Sequence, residues 1–407
     1  MFKFKRISAL MCASLLLYGC AKTDDKTPYT SAPKAQTTAQ VTEEATQAPI
    51  TEAEPVQQAF AADEEHVRLI GRTFFDDTTG VRWLTYSASG IEFEFSGTDV
   101  ELVFYGDSKA STLDENSGVR YAVYIDDEMK LDAQMVKKGA DRVTVHADSA
   151  GTHDLKLIKL SEVANSIIGV KQITVMGDIK PAGGSDRLIE FIGDSITCGY
   201  GVDDEDRTHP FSTSTEDATK AYGYRTAQLL GWDCSLVAIS GHGIVSGYTG
   251  NGVKQDKQLM SDFYGNHGHC YGTAGANRLE NVEWDFARQP DVIVINLGTN
   301  DENYTRKDAD RIEEYTLGYV DFLKLVRGKN PDAAIICALG LMGDGLYPAV
   351  CDAVSRYSAG TGDENVFTFH FNPIKADEGY AADYHPTSKT HERAAAELAE
   401  YIKSIIK

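Results

Sequence analysis

The chain has 407 residues, 42% of them hydrophobic, and a formal net charge of −22. This length suits two domains plus tails, and the hydrophobic share is ample for sizeable cores. The strong negative charge would repel a phosphate backbone, which makes nucleic acid a poor partner and suits a protein that handles neutral or cationic material.

Residues 1–20 have the pattern of an export signal. A basic start, Met1–Arg6, precedes an apolar segment, residues 7–18, that is too short for a stable membrane span. The sequence Leu-Tyr-Gly-Cys at residues 17–20 resembles the bacterial lipobox, which implies cleavage before Cys20 and lipid on its thiol. We therefore expect an exported lipoprotein that is anchored to the membrane at the bacterial cell surface. The alternative is an ordinary signal peptide that is cleaved elsewhere.

Residues 21–63 are rich in Thr, Ala, Glu, Gln and Pro and contain almost no large apolar side chains. Because such a segment cannot bury a core, it is predicted to be a disordered tether. The tether would hold a folded body away from the membrane surface.

A β-sandwich is predicted over residues 66–180. Ile91–Phe95 alternates strictly between apolar and polar residues, as a half-buried strand does, and Val100–Tyr105 follows after a Ser-Gly-Thr-Asp turn. Further strands are predicted at residues 121–125, 142–146, 153–160 and 170–175. Many short strands separated by Gly, Asp and Ser turns indicate a jelly-roll-like sandwich.

A linker at residues 181–185, Pro-Ala-Gly-Gly-Ser, marks a change of pattern. Beyond it, predicted strands alternate with predicted helices. The strands are predicted at 188–192, 235–239, 291–297, 333–339 and 366–371, and the helices at 222–230, 308–327, 348–358 and 388–406. This alternation predicts an α/β domain over residues 187–405, with a parallel sheet covered by helices on both faces.

Four polar segments follow strands of the predicted parallel sheet or precede its last helix. They are Gly193–Ser195, Ser240–Gly243, Gly298–Asp301 and Asp383–Pro386. Sheet topology would bring all four toward one crevice. A serine hydroxyl is a poor nucleophile until a base takes its proton, and a histidine titrates near neutrality, so the set suits nucleophilic catalysis. The alternative for the Gly-Asp-Ser segment is a simple helix cap.

In combination, these four segments resemble the SGNH or GDSL hydrolase superfamily, and the resemblance covers about residues 187–402. It implies a three-layer, flavodoxin-like fold in which Ser195 is the nucleophile and His385 the base. It also implies an oxyanion hole formed by the backbone N–H groups of Ser195 and Gly241 and by the Asn300 side chain.

A second resemblance is to carbohydrate esterase family 2. Residues 150–159 resemble the N-terminal domain of that family, and the Ser-Gly-His-Gly and Asp-Tyr-His-Pro segments resemble its hydrolase domain. The family removes acetyl groups from plant cell-wall polysaccharides such as xylan. The resemblance implies a serine esterase that deacetylates a xylan- or mannan-type glycan through an acyl-serine intermediate, without a cofactor. The alternatives are an esterase acting on lipid, thioester or peptidoglycan acetyl groups, and a non-catalytic glycan-binding lipoprotein.

One position departs from the pattern. Many SGNH enzymes carry an Asp three residues before the base, whereas Ala382 stands there in this chain and Asp383 stands one residue later. Either Asp383 contacts Nδ1 of His385, or a backbone carbonyl does so and leaves a Ser–His dyad. Tyr384 and Tyr304 adjoin these motifs and are candidates for stacking on sugar rings, with core or rim packing as the alternative.

Neither a metal site nor a disulfide framework is predicted. The seven cysteines include no CxxC pair, and Cys12 and Cys20 belong to the predicted signal. His267–Cys270, His-Gly-His-Cys, lacks a clear fourth ligand.

Overall fold

A computed structural model describes residues 56–406 of the chain. The predicted signal peptide, Cys20 and most of the predicted tether lie outside the described residues. Within residues 56–406, none of the helices is both long enough and apolar enough to traverse a bilayer.

The N-terminal part of the described chain is an antiparallel sheet of ten strands. The strands are β1 (Gln57–Phe60), β2 (Arg68–Ile70), β3 (Thr73–Asp76), β4 (Val81–Leu84), β5 (Gly90–Gly106), β6 (Val119–Ile125), β7 (Glu128–Met135), β8 (Ala140–Lys159), β9 (Ile168–Met176) and β10 (Ile179–Pro181). Their order is β3-β4-β9-β5-β8-β6-β7, with β1 paired to β9 and with β2 and β10 paired to β5. This all-β region confirms the predicted N-terminal fold class.

The long strands β5 and β8 correct two details of the prediction. The sequence indicated a turn near residue 97 and another near residue 150, each separating two strands. The structure instead continues both strands, pairs Gly97 with Gly151, and shifts the register between Gly97 and Asp99. Gly97 has a φ of 118°, a conformation that favours glycine. The turn-like residues therefore mark a β-bulge that bends a continuous pair of strands.

Strand β1 lies inside the segment that was predicted to be tether. Its sequence, Gln-Gln-Ala-Phe, is too short to show a strand pattern, and Gln57–Phe60 pairs antiparallel with Ile173–Met176 of β9. Hydrogen bonds to a strand more than 110 residues away supply the order. Local composition carries no signal of such a long-range contact.

The C-terminal part is a five-stranded parallel sheet within the described residues. Its strands are β11 (Leu188–Gly193), β12 (Asp233–Ala238), β13 (Val292–Asn296), β14 (Ala334–Gly340) and β15 (Val366–Phe371). The helices are α1 (Ser195–Cys198), α2 (Tyr222–Leu230), α3 (Thr299–Thr305), α4 (Ala309–Lys329), α5 (Tyr347–Thr361) and α6 (Ser388–Ile405). The strand order β12-β11-β13-β14-β15 is flavodoxin-like, and its switch point lies between β11 and β13.

Helices cover both faces of the parallel sheet, as predicted. On one face, Phe191 packs with Tyr222 of α2 and Leu398 of α6. On the other face, Ile295 belongs to a cluster with Leu323 of α4. Strands buried on both faces read as continuous apolar runs, and this is the pattern by which the sequence revealed them.

The two sheets are not separated by a solvated gap. Apolar side chains of the N-terminal sheet, such as Trp83 and Ile158, belong to the same buried clusters as the parallel sheet and its loops. Arg72 is fully buried and donates to both carboxylate oxygens of Glu190 on β11, at 3.1 and 3.2 Å. The N-terminal sheet therefore forms one wall of the hydrolase-like region rather than a distant module.

Candidate active site

Ser195 lies at the turn between β11 and α1. Asp194 caps the helix, because its Oδ1 accepts the Ile196 N–H at 3.1 Å. At Gly193 an added Cβ would lie 2.7 Å from Cβ of Thr197, so the strand must end in glycine here. The capping prediction and the nucleophile prediction are therefore compatible: the cap places the serine at the first position of the helix.

His385 reaches Ser195 from the other side of the crevice. Its Nε2 lies 2.9 Å from the Ser195 Oγ, and both side chains are largely buried. Burial lowers the pKa of His385 to about 4, so the imidazole is neutral near pH 7. A neutral imidazole whose Nε2 faces a serine hydroxyl is placed to accept its proton.

A backbone carbonyl orients the imidazole. His385 Nδ1 lies 3.1 Å from the carbonyl oxygen of Asp383. Because a carbonyl only accepts, Nδ1 carries the proton and Nε2 keeps its lone pair for Ser195. Asp383 and Tyr384 adopt left-handed backbone conformations, with φ of 48° and 62°, which turn this carbonyl toward the ring. The sequence left two arrangements open, and the structure shows the one in which a backbone carbonyl contacts Nδ1 of His385.

The usual acid position is closed in this chain. Ala382 is fully buried, and a Cβ added to Gly201 would lie 2.6 Å from the Ala382 Cβ. The exposed Asp383 carboxylate instead accepts a hydrogen bond from the Tyr200 hydroxyl at 3.4 Å.

Tyr200 is a site residue that no sequence motif indicated. Its ring stacks on the His385 imidazole with a centroid distance of 3.8 Å and an interplanar angle of 16°. Phe211 packs on the tyrosine ring at 4.7 Å. Tyr200 thus limits movement of the imidazole by contact with the face of the ring, while the Asp383 carbonyl holds the edge of the ring at Nδ1. No local pattern signals this contact, since it joins residues 185 positions apart.

Two backbone N–H groups are free beside the serine. Among the described residues, neither the Ser195 N–H nor the Gly241 N–H donates to another protein atom. Gly241 has a φ of 75° in the loop after β12, and its carbonyl accepts the Tyr248 N–H at 2.8 Å. A free N–H at the β11–α1 turn together with a free N–H in the loop after β12 provides the elements of an oxyanion hole.

Asn300, the third predicted oxyanion donor, lies at the start of α3. Its Nδ2 donates to the carbonyl of His242 at 2.9 Å and to Oδ2 of Asp194 at 3.2 Å. The Asn300 amide therefore links the serine turn to the loop that carries Gly241. An oxyanion would compete with these two acceptors for its hydrogens.

Two buried carboxylates fix the loops around the serine. Asp301 accepts the N–H groups of residues 244, 245 and 246 at 2.8–3.1 Å, and Asp194 caps α1. Burial raises the pKa of Asp194 to about 7 and that of Asp301 to about 6. Their contacts are with backbone N–H groups and with Asn300, so both carboxylates fix turns next to the serine.

The two candidate sugar-stacking tyrosines occupy different environments. Tyr384 is 51% exposed, and Arg207 lies 5.4 Å from its ring centroid. Tyr304 is buried, its hydroxyl donates to Glu314 at 2.8 Å, and Arg311 lies 4.6 Å from its ring centroid. Tyr384 is thus available to a ligand at the rim next to His385, whereas Tyr304 is engaged in packing.

One group of side chains has the composition of a metal site. Ligand atoms of Glu162, Cys198 and Glu216 lie within 4.8 Å of one another and are buried. The Glu162 carboxylate already accepts the Ser240 N–H and the Asn165 amide. These internal donors fit a structural acceptor better than a cation ligand.

A parallel three-layer fold with a Ser–His pair and free N–H donors at its switch point defines a serine hydrolase of the GDSL class. Comparison with known families agrees. The model of the GDSL-like Lipase/Acylhydrolase family matches residues 191–393, and that of the Carbohydrate esterase 2 N-terminal family matches residues 69–182. The chain belongs to carbohydrate esterase family 2.

Individual relatives are similar to this chain over most of its length. The chain is 31% identical to "Cellulase/esterase CelE" of Acetivibrio thermocellus over 331 residues, which is 78% of this chain and 38% of that protein. It is 27% identical over 365 residues to an "Acetylxylan esterase / glucomannan deacetylase" of Cellvibrio japonicus, covering 85% of this chain and 90% of the relative. A family two carbohydrate esterase from Clostridium thermocellum, solved in complex with cellohexaose, superposes with a TM-score of 0.70 at 28% identity, covering 83% and 98% of the two chains.

Proposed function

We propose that the protein is a serine esterase that removes O-acetyl groups from a polysaccharide. The observation that carries the proposal is the 2.9 Å contact between His385 Nε2 and Ser195 Oγ, beside two free N–H groups. The relatives named as acetylxylan esterase and glucomannan deacetylase support an acetylated plant glycan as the substrate.

The acylation half-reaction follows from this geometry. Ser195 Oγ attacks the acetyl carbonyl while its proton passes to His385 Nε2, and the N–H groups of Ser195 and Gly241 donate to the developing oxyanion. When the tetrahedral intermediate collapses, the C–O bond to the sugar breaks. His385 returns its proton to the leaving sugar oxygen, and an acetyl-serine ester remains.

Deacylation repeats these steps with water as the nucleophile. His385 takes a proton from water, the hydroxide attacks the acetyl-serine carbonyl, and the ester bond to Oγ breaks. The proton returns to Ser195, and acetate leaves. Each N–H donor is worth about 3 kcal/mol in the transition state.

The test is acetate release from acetylated xylan, acetylated glucomannan and acetylated peptidoglycan, measured side by side with the Ser195→Ala variant. We expect release from a plant glycan by the native protein alone. Release of acetate from peptidoglycan alone would indicate that the substrate is the bacterial cell wall and not a plant glycan. Binding to all three polymers without release of acetate would refute the esterase proposal.

We further propose that Cys20 anchors the protein to the membrane. The support is the basic start, the apolar segment and the Leu-Tyr-Gly-Cys sequence. Cys20→Ala should release the protein from the membrane fraction or block its maturation. An unchanged distribution of this variant on cell fractionation would exclude the lipid anchor.

A further inference from the structure

We infer that Glu162, supplied by the loop between strands β8 and β9 of the N-terminal sheet, is a positioning residue for the oxyanion hole. The inference rests on the proposed esterase function. Glu162 lies between β8 and β9 and is buried against the hydrolase region. Its Oε2 accepts the N–H of Ser240 at 2.7 Å, and Ser240 directly precedes Gly241. The carboxylate therefore holds the peptide next to an oxyanion donor.

The same oxygen also contacts the segment that carries the nucleophile. Cys198 ends α1, the helix that Ser195 begins, and its thiol donates to Oε2 of Glu162 at 3.7 Å. One oxygen from the β8–β9 loop thus touches both segments that supply free N–H groups. The relative position of the two donors depends on this shared acceptor.

Glu162 is itself held on several sides. Its backbone N–H donates to Oε2 of Glu216 at 2.8 Å, and its Oε1 accepts the Asn165 amide at 3.0 Å. The fully buried Lys159 donates to the carbonyl of Glu162 at 2.7 Å and to that of Ser161. Three buried ionisable side chains, those of Lys159, Glu162 and Glu216, therefore lie together where the N-terminal sheet meets the hydrolase region. Apolar side chains would fill this boundary at a lower desolvation cost. This arrangement is expected where the carboxylate position matters.

Loss of the Glu162 oxygen that accepts the Ser240 N–H would displace the neighbouring Gly241. A buried N–H without a partner is unfavourable, and the loop can recover part of this cost only by moving. Gly241 has no side chain to anchor it, so the shift would pass to its N–H. A misplacement of about 1 Å can cost up to about 100-fold in rate.

Two substitutions at Glu162 separate position from charge. Glu162→Asp keeps the negative charge but withdraws the carboxylate by one methylene from Ser240. Glu162→Gln keeps an acceptor oxygen within reach of Ser240 but removes the charge. Positioning predicts that kcat falls by up to about 100-fold in Glu162→Asp, with KM little changed, and falls much less in Glu162→Gln. A larger loss in Glu162→Gln than in Glu162→Asp would overturn the inference, because charge would then be the determinant.

A pair of substrates tests whether the defect lies in the oxyanion hole. Sulfur is a weak hydrogen-bond acceptor, so a thionoester gains less from the hole than the corresponding acetyl ester. We expect the ratio of kcat/KM for ester to thionoester to fall in Glu162→Asp. Equal losses on both substrates would show a general structural defect and refute the positioning role.

Arg68→Ala is the matched control. Arg68 also joins the two sheets, through Asp233 at 3.2 Å, but at the opposite end of β12 from Gly241. This variant should keep the native kcat and substrate ratio, and thermal melting reports folding in all four proteins. A native protein without turnover of any acetyl ester would refute the proposed function itself. Turnover that both Glu162 variants leave unchanged would refute only the positioning role.

Discussion

Replacing Asp383 by Asn tests whether the site works as a dyad. The substitution removes the negative charge beside His385 and leaves in place the backbone carbonyl that accepts its Nδ1–H at 3.1 Å. Asn tolerates the left-handed conformation at this position, where φ is 48°. Because the Asp383 side chain is exposed, its interaction is worth about 0.2–1 kcal/mol. This corresponds to a fall of about 1.4- to 5-fold in kcat/KM, against about 10⁴ for the acid of a true triad.

The assay is kcat/KM on one small acetyl ester for the native protein and for Asp383→Asn, Asp383→Gly, Ser195→Ala and His385→Ala. The glycine variant controls for backbone strain, since glycine adopts a positive φ freely. Ser195→Ala and His385→Ala should each lose nearly all activity. A variant with both substitutions should be little worse, because the effects of residues that act as a unit are not additive. A loss of about 10³-fold or more in folded Asp383→Asn would refute the dyad, since it approaches the cost of removing a triad acid.

Three further predictions follow from the same geometry. Because burial lowers the pKa of His385 to about 4, kcat/KM should hold from neutral pH to about pH 5 and fall only near pH 4; a fall near pH 6.5 would contradict this. Tyr200→Phe should retain most activity because it keeps the ring on the imidazole, whereas Tyr200→Ala should lower kcat by up to about 100-fold; equal effects would exclude stacking as the cause. Gly243→Ala should lower the melting temperature and kcat together, since its Cβ would lie 2.6 Å from Oδ2 of Asp301; an unchanged melt would contradict the close packing.

The elements that local chemistry specifies could be predicted from the amino-acid sequence. The predicted strands at 188–192 and 366–371 and the helix at 222–230 agree with the structure to within a residue, because buried parallel strands and amphipathic helices leave periodic patterns. Ser195 and His385 could be chosen because each adjoins a strand end or a helix start that the pattern had already located. The motif order then implied that their side chains meet, and the 2.9 Å contact shows that they do.

The groups that complete the site depend on contacts between distant parts of the chain. The partner of His385 Nδ1 is a main-chain carbonyl. Because every residue has a carbonyl, no residue type in the sequence indicates which one makes this contact. Tyr200 and Glu162 act through partners that lie far away in the chain, at His385 and Ser240. The long strands β5 and β8 were divided in the prediction because Gly97 and Gly151 look like turn residues, while in the fold they face each other across a bulge. Local patterns report which conformation a segment prefers; long-range pairing decides which surfaces meet, and that pairing builds the catalytic geometry.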